Sequence, residues 1–294
     1  MGTYLNKLSD KLIELRALKD KFLSTIEIYY HDPINDNPNI LFLTAHVNHW
    51  GSKKENHEIY QIELIKQFND FLEYLTLIEP LLPQKKLTEL KKTTNLIWYW
   101  IEEKQSAPGP NLESSIKRFN SELERYAEVI KLLNFTEVAS EKILVPDTNA
   151  LISHPELSDY ALVFPSKINI VIPPTVISEL DKLKVNHKSE DIKNKVRSII
   201  SHLKGYRNQG DIINAGIVIA KTINLKMIAT EPKFDKSLSW LDPNNMDDRI
   251  IVTILDVEIH NLSNEVILIT NDLNMQNKAL LAGIKYLDTD EIFK

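Results

Sequence analysis

The sequence predicts two parts of different fold class: an all-α helical N-terminal domain over residues 1–140, and an α/β domain built on a parallel sheet over residues 141–294. Three observations carry this. Up to about residue 137 the apolar residues recur at helical spacing. From residue 142 short β-branched runs alternate with amphipathic stretches, the pattern of a parallel sheet covered by helices on both faces. The chain is 294 residues long and 43% apolar, enough for two ordinary cores.

In the first part, LNKLSDKLIELRALKDKFLSTIEIYY places Leu8, Leu12, Leu15, Leu18, Phe22 and Ile26 on one helical stripe. A loop rich in Asp, Asn and Pro follows at residues 31–39. NHEIYQIELIKQFNDFLEYLTLIEP resumes the helical period and stops at Pro80, and LTELKKTTNLIWYWIEEK forms a third helix ended by QSAPGP. NLESSIKRFNSELERYAEVIKLLN is a fourth, with Ile116, Phe119, Leu123, Tyr126 and Ile130 on one face. Helices this amphipathic need partners, so an antiparallel bundle is the natural packing.

In the second part, KILVP (142–146), INIVIPP (168–174), NLKMIAT, NEVILIT and IKYLD read as strands. TVISELDKLK, SEDIKNKVRSIISHLKGYRNQG, DIINAGIVIAKT, MDDRIIVTILDVEIHN and DLNMQNKALLAG read as helices.

Composition removes several classes of function. Cys is absent, which excludes disulfides, thiolate zinc sites and a thiol nucleophile and suits a reducing compartment. The N-terminus is polar and mixed in charge, unlike a signal peptide, and no apolar run approaches membrane-spanning length. A soluble cytoplasmic protein without a membrane partner is expected. Net charge is −6, about −3 on either side of residue 140, so bulk charge does not favour nucleic acid. None of the seven Gly forms a phosphate-cradling loop. His46 and His49 have no third ligand nearby in the sequence.

Acids stand where strands end. Asp147 directly follows the first strand, Asp272 lies just past VILIT, and Glu179 is one turn into the helix after the second strand. Asp247 and Asp248 open the helix that precedes VILIT. In an open parallel sheet, ligands bind beyond these strand ends. The stripe of Ile250, Ile251, Ile254 and Leu255 puts Asp247 in its middle and Asp248 at its edge, so helical phase favours Asp247. Each acid also has a structural reading: Asp147 and Asp272 as helix N-caps, Asp247 and Asp248 as partners of a helix dipole, and Glu179 as an ordinary edge carboxylate. Gathered together they need cations, because two carboxylates about 4 Å apart repel by roughly 4 kcal/mol at an effective dielectric near 20. Hard oxygen donors without His or Cys favour Mg²⁺ or Mn²⁺, and such ions activate water against a phosphodiester.

PDTNALISHP, VIPPTVISELDKLK, MDDRIIVTIL and VILITNDLNMQNKA resemble, in order, the four acidic motifs of the PIN domain family, over about residues 141–293. The resemblance implies a three-layer α/β/α sandwich and divalent-metal-dependent cleavage, mostly of RNA. It implies Asp147, Glu179, Asp247 or Asp248, and Asp272 as metal-binding and catalytic acids, with Asn149 and Thr270 as polar residues that fix the carboxylates. The helical part lies outside it.

Lys182, Lys184, Lys188, Lys193, Lys195, Arg197, Lys204 and Arg207 face only Glu190 and Asp191, a local basic excess close to Glu179 in an acidic chain. Phosphate-backbone binding is the functional reading of Lys182, Lys184, Lys193, Lys195 and Arg197, and a solvated helix face the structural one. The reading that follows is an endoribonuclease with RNA as partner and with N-terminal helices that position substrate, oligomerise or bind a protein regulator. Its rivals are a DNA or 5′-nuclease activity and a non-catalytic binding module.

Overall fold

The computed structural model describes residues 3–31, 47–134 and 141–293. The chain divides into two compact units: Met1–Lys7 with Thr136–Lys294, and Leu8–Phe135. The predicted loop at residues 31–39 and His46 fall almost wholly outside the described residues. Among the described residues no helix is long and apolar enough to cross a membrane.

The N-terminal region is helical. It holds α1 (Tyr4–Ser24), α2 (His57–Ile78), α3 (Gln84–Ile101) and α4 (Leu112–Leu133). The stripe from Leu8 to Ile26 is buried along its whole length, as its period requires. Aromatic pairs fill the core: Phe71 meets Tyr126 edge-on at 5.1 Å, Phe68 meets Trp98 at 5.0 Å, and Trp100 meets Phe119 at 5.3 Å. The WYW segment is therefore core packing at its two Trp residues.

One departure from the all-helical expectation is a hairpin. β1 (Ile26–His31) pairs antiparallel with β2 (Val47–Lys53), with Tyr29 opposite His49 and their rings stacked at 5.5 Å. The reason is visible in IEIYYH, which is rich in β-branched and aromatic residues that favour an extended backbone and override the helical period before them.

The C-terminal unit has a mostly parallel central sheet flanked by helices. Its elements are β3 (Lys142–Pro146), α5 (Thr148–Ser153), α6 (Tyr160–Val163), β4 (Ile168–Ile172), α7 (Pro174–Asn186), α8 (Glu190–Arg207), β5 (Ile217–Ile219), β6 (Ile223–Met227), α9 (Met246–His260), β7 (Glu265–Ile269), α10 (Leu273–Leu281), β8 (Lys285–Leu287) and α11 (Thr289–Ile292). The sheet order is β5-β6-β4-β3-β7-β8, and every pair is parallel except β5 with β6. β3, β4 and β7 are buried on both faces, which is why they read as unbroken apolar runs.

DIINAGIVIAKT is not a helix. Asp211 accepts from the Asn214 amide at 3.0 Å in a turn, and IVI then forms the edge strand β5. Gly216 has φ +78°, and an added Cβ there would come within 2.5 Å of Asn224 Oδ1. Ala220 and Lys221 also take positive φ in the tight return to β6. These turns interrupt the helical period.

Leu144 sits at 0% exposure in β3, between β4 and β7. Leu144→Ala is expected to destabilise the chain by about 2–5 kcal/mol, read as a lower melting temperature. A melting temperature unchanged within error would contradict this account of the core.

Candidate active site

Chain order and sheet order differ in a way that gathers the acids. β4, β3 and β7 are neighbours, and their carboxyl ends lead into Glu179, Asp147 and Asp272. α9 returns the chain to the start of β7, so its first turn, with Asp247 and Asp248, lies at that same rim. Asp147, Glu179, Asp247 and Asp272 line one cleft of about 320 Å³, together with Thr148, Asn149, Lys182, Leu183, Met246, Ile250 and Met275.

Each acid is also held by the scaffold. Asp147 is the N-cap of α5: its Oδ1 accepts from the Ala150 amide at 2.7 Å, and its Oδ2 accepts from the Thr270 hydroxyl. Asp272 caps α10, its Oδ1 accepting from the amides of Asn274 at 2.7 Å and Met275 at 3.1 Å. The capping and functional readings of these two residues are thus not exclusive. Glu179 Oε2 accepts from the Thr148 hydroxyl. Asp247 Oδ2 accepts from Asn274 Nδ2 at 3.0 Å and Lys278 Nζ at 3.3 Å.

The doubled acid on α9 is resolved by place. Asp248 is 5% exposed, and its Oδ2 accepts from the Asp242 amide at 3.0 Å. Asp247 lines the cleft, with its side chain 35% exposed. The helical phase put Asp247 in the buried stripe and Asp248 at its edge; the burial is the reverse. The stripe opens onto the cleft at its N-terminal end instead of continuing into the core.

Two other expectations need correction. Asn149 lines the cleft but makes no hydrogen bond to an acid among the described residues; its neighbour Thr148 holds Glu179 instead. Thr270 does fix a carboxylate. On α8, Arg197 bonds Glu190 at 3.0 Å, Lys193 lies 3.3 Å from Glu190, and Lys195 lies 3.6 Å from Asp191. Much of that basic excess is therefore spent within its own helix. Lys182 lines the cleft, and Lys184 is half-buried outside it; neither has an ion pair among the described residues. Thr148, Asn274 and Lys278 do not stand out in the sequence as site residues. Only the i,i+4 spacing of Asn274 and Lys278 on α10 hinted that they share a face.

Electrostatics single out Asp147. At 3% exposure, burial pushes its carboxyl up to about 6 from an ordinary value of 3.8. The Thr270 hydroxyl and the Ala150 amide work against that rise, while the charges of Asp272 and Glu179 add to it. Lys278 is raised: burial disfavours its charge, but the carboxylates of Asp248 and Asp247 outweigh burial.

An all-carboxylate lining suits a hard divalent cation. Glu179, Asp247 and Asp272 each keep one carboxylate oxygen without a hydrogen-bond partner among the described residues. No group of three or more acids or histidines among the described residues meets around one point. The residues fit a divalent ion in donor chemistry and in unshared oxygens.

A family model described as a PIN domain matches residues 144–290. No curated protein matches the chain.

Because the folded pKa of Asp147 lies above its unfolded value, the folded state binds more protons there between the two. Its ionisation therefore costs stability as pH rises from about 4 to about 6, and the penalty is constant above. Relative to Asp147→Asn in EDTA, the wild-type chain is expected to lose on the order of 3 kcal/mol across that window. Parallel melting curves for the two proteins at every pH would contradict the burial argument.

Proposed function

Since the chain belongs to the PIN domain family, a metal-dependent nuclease fold, we propose that it is a divalent-metal-dependent endoribonuclease. The observation that carries this is the convergence of Asp147, Glu179, Asp247 and Asp272, from four different elements, on one cleft.

In this reading Asp147, Glu179, Asp247 and Asp272 hold Mg²⁺ or Mn²⁺. The bound ions supply an activated water and stabilisation of the leaving oxygen of a phosphodiester. The chain's own residues prepare the cleft. Thr270 and the Ala150 amide hold Asp147 in one orientation. Thr148 does the same for Glu179, and Asn274 for Asp247. Lys182, exposed in the cleft wall and without an ion pair among the described residues, contacts a backbone phosphate of the substrate. Lys184 adds charge on the same helix. Lys193, Lys195 and Arg197 contribute less, because acids of α8 already pair with them. RNA is the proposed partner, a cysteine-free chain suits a reducing cytoplasm, and the helical unit offers a surface for RNA or for protein contacts.

Labelled RNA and DNA oligonucleotides of the same sequence, incubated side by side with Mn²⁺, test this. Cleavage of the RNA at internal positions, lost in Asp147→Asn, Glu179→Gln and Asp272→Asn, is the expected result. Preferential DNA cleavage would assign the cleft to the other nucleic acid. No cleavage of either, with no calorimetric Mn²⁺ binding, would leave the acids as caps of a non-catalytic module.

The phosphate contacts have their own test. Lys182→Glu is expected to weaken RNA affinity and to lower the slope of log affinity against log salt by about one phosphate contact. Lys193→Glu with Lys195→Glu should change it less. An unchanged slope in Lys182→Glu would remove this residue from the substrate path.

A further inference from the structure

Lys278 is placed where a cation matters most. It lies in α10, one turn after Asn274, and both residues reach Asp247 Oδ2, at 3.3 Å and 3.0 Å. Its Nζ lies closer still to Asp248, 2.8 Å from Oδ1. The lysine side chain is only 17% exposed and is not part of the cleft wall.

The three contacts divide the doubled acid into two roles. Asp248 takes the Asp242 amide on Oδ2 at 3.0 Å, while its buried Oδ1 has no hydrogen-bond partner among the described residues and is met only by the Lys278 charge 2.8 Å away. It is buried, and a buried carboxylate without a counter-charge is costly. Asp247 is engaged at Oδ2 alone, and its Oδ1 has no hydrogen-bond partner among the described residues. A lysine ammonium sits on a flexible stem and acts as a point charge, so it can lean toward either carboxylate without rearranging α10.

We propose that Lys278 is a built-in counter-ion of the cleft: a positioning residue that secures Asp248 to the scaffold and competes with an incoming divalent cation for Asp247. The identity of that cation rests on the nuclease reading; the contacts of the lysine do not. A positive charge 3.3 Å from Asp247 Oδ2 lowers the attraction of the cleft for a doubly charged ion. Lys278 therefore sets how much metal the protein needs before the cleft fills, so that activity follows the free metal concentration.

The test uses full-length wild-type, Lys278→Met, Lys278→Arg and Lys278→Met/Asp248→Asn proteins. Melting in EDTA and calorimetric titration with MnCl₂ are the readouts. Lys278→Met should melt at lower temperature in EDTA, yet bind Mn²⁺ more tightly, by about tenfold. Lys278→Arg, which keeps the charge, should match the wild type in both. The double variant should recover the EDTA melting temperature, because the stranded carboxylate is gone.

A purely structural lysine would give Lys278→Met a lower melting temperature with unchanged or weaker Mn²⁺ binding, and that result overturns the proposal. If wild-type protein binds no Mn²⁺, the nuclease reading falls, and with it competition with a metal. The counter-ion assignment then stands or falls on the EDTA melts, where failure of Asp248→Asn to rescue Lys278→Met refutes it.

Discussion

Carboxylates of like charge brought to one cleft repel one another, and the C-terminal unit is arranged around containing that repulsion. Asp147 is the sharpest case. It is nearly inaccessible to solvent, close enough to Asp272 and Glu179 to feel both charges, and correspondingly reluctant to ionise. Its two oxygens are met by a hydroxyl from β7's exit and by an amide of its own helix. Each such bond to a charged group contributes about 1.5–3 kcal/mol, the same order as the repulsion it opposes. Thr148 on Glu179, and Asn274 with Lys278 on Asp247, extend the same device around the cleft. Capping does not use up these side chains: one oxygen is given to the scaffold, and at three of the four acids the other has no hydrogen-bond partner among the described residues.

Topology makes this gathering possible. β3 lies in the middle of the sheet, with β4 on one side and β7 on the other, although β7 follows much later in the chain. Parallel pairing sends all three carboxyl ends to one rim, and the crossover into β7 forces α9 to begin there too. Four acids scattered over more than a hundred residues thus come to line one cleft through strand order and the helices that leave or approach those strand ends.

How legible this was depended on the range of the physics involved. The stripe from Leu8 to Ile26 and the apolar runs of β3, β4 and β7 were readable because burial imposes a local period. The acids at strand exits were readable because a charged residue stands out against such a run. The β1–β2 hairpin was missed because its β-branched and aromatic residues follow an unbroken helical stripe, and β5 because its turns depend on positive φ at Gly216, Ala220 and Lys221. Thr148 on Glu179 and Lys278 on Asp247 join residues about thirty positions apart, and no local pattern announces such a pair. The exchange of burial between Asp247 and Asp248 shows the limit of helical phase. It orients a helix toward its packing face, but it does not say where that face gives way to a cleft.

The central claim is that these carboxylates share a cleft in order to hold divalent ions. Crystals of the full chain soaked in MnCl₂ test it directly, through the anomalous scattering of manganese. The account predicts at least one anomalous peak in the cleft, with ligand oxygens from two or more of Asp147, Glu179, Asp247 and Asp272 at bonding distance. A cleft without a peak at saturating metal, or peaks confined to other surfaces, would contradict it.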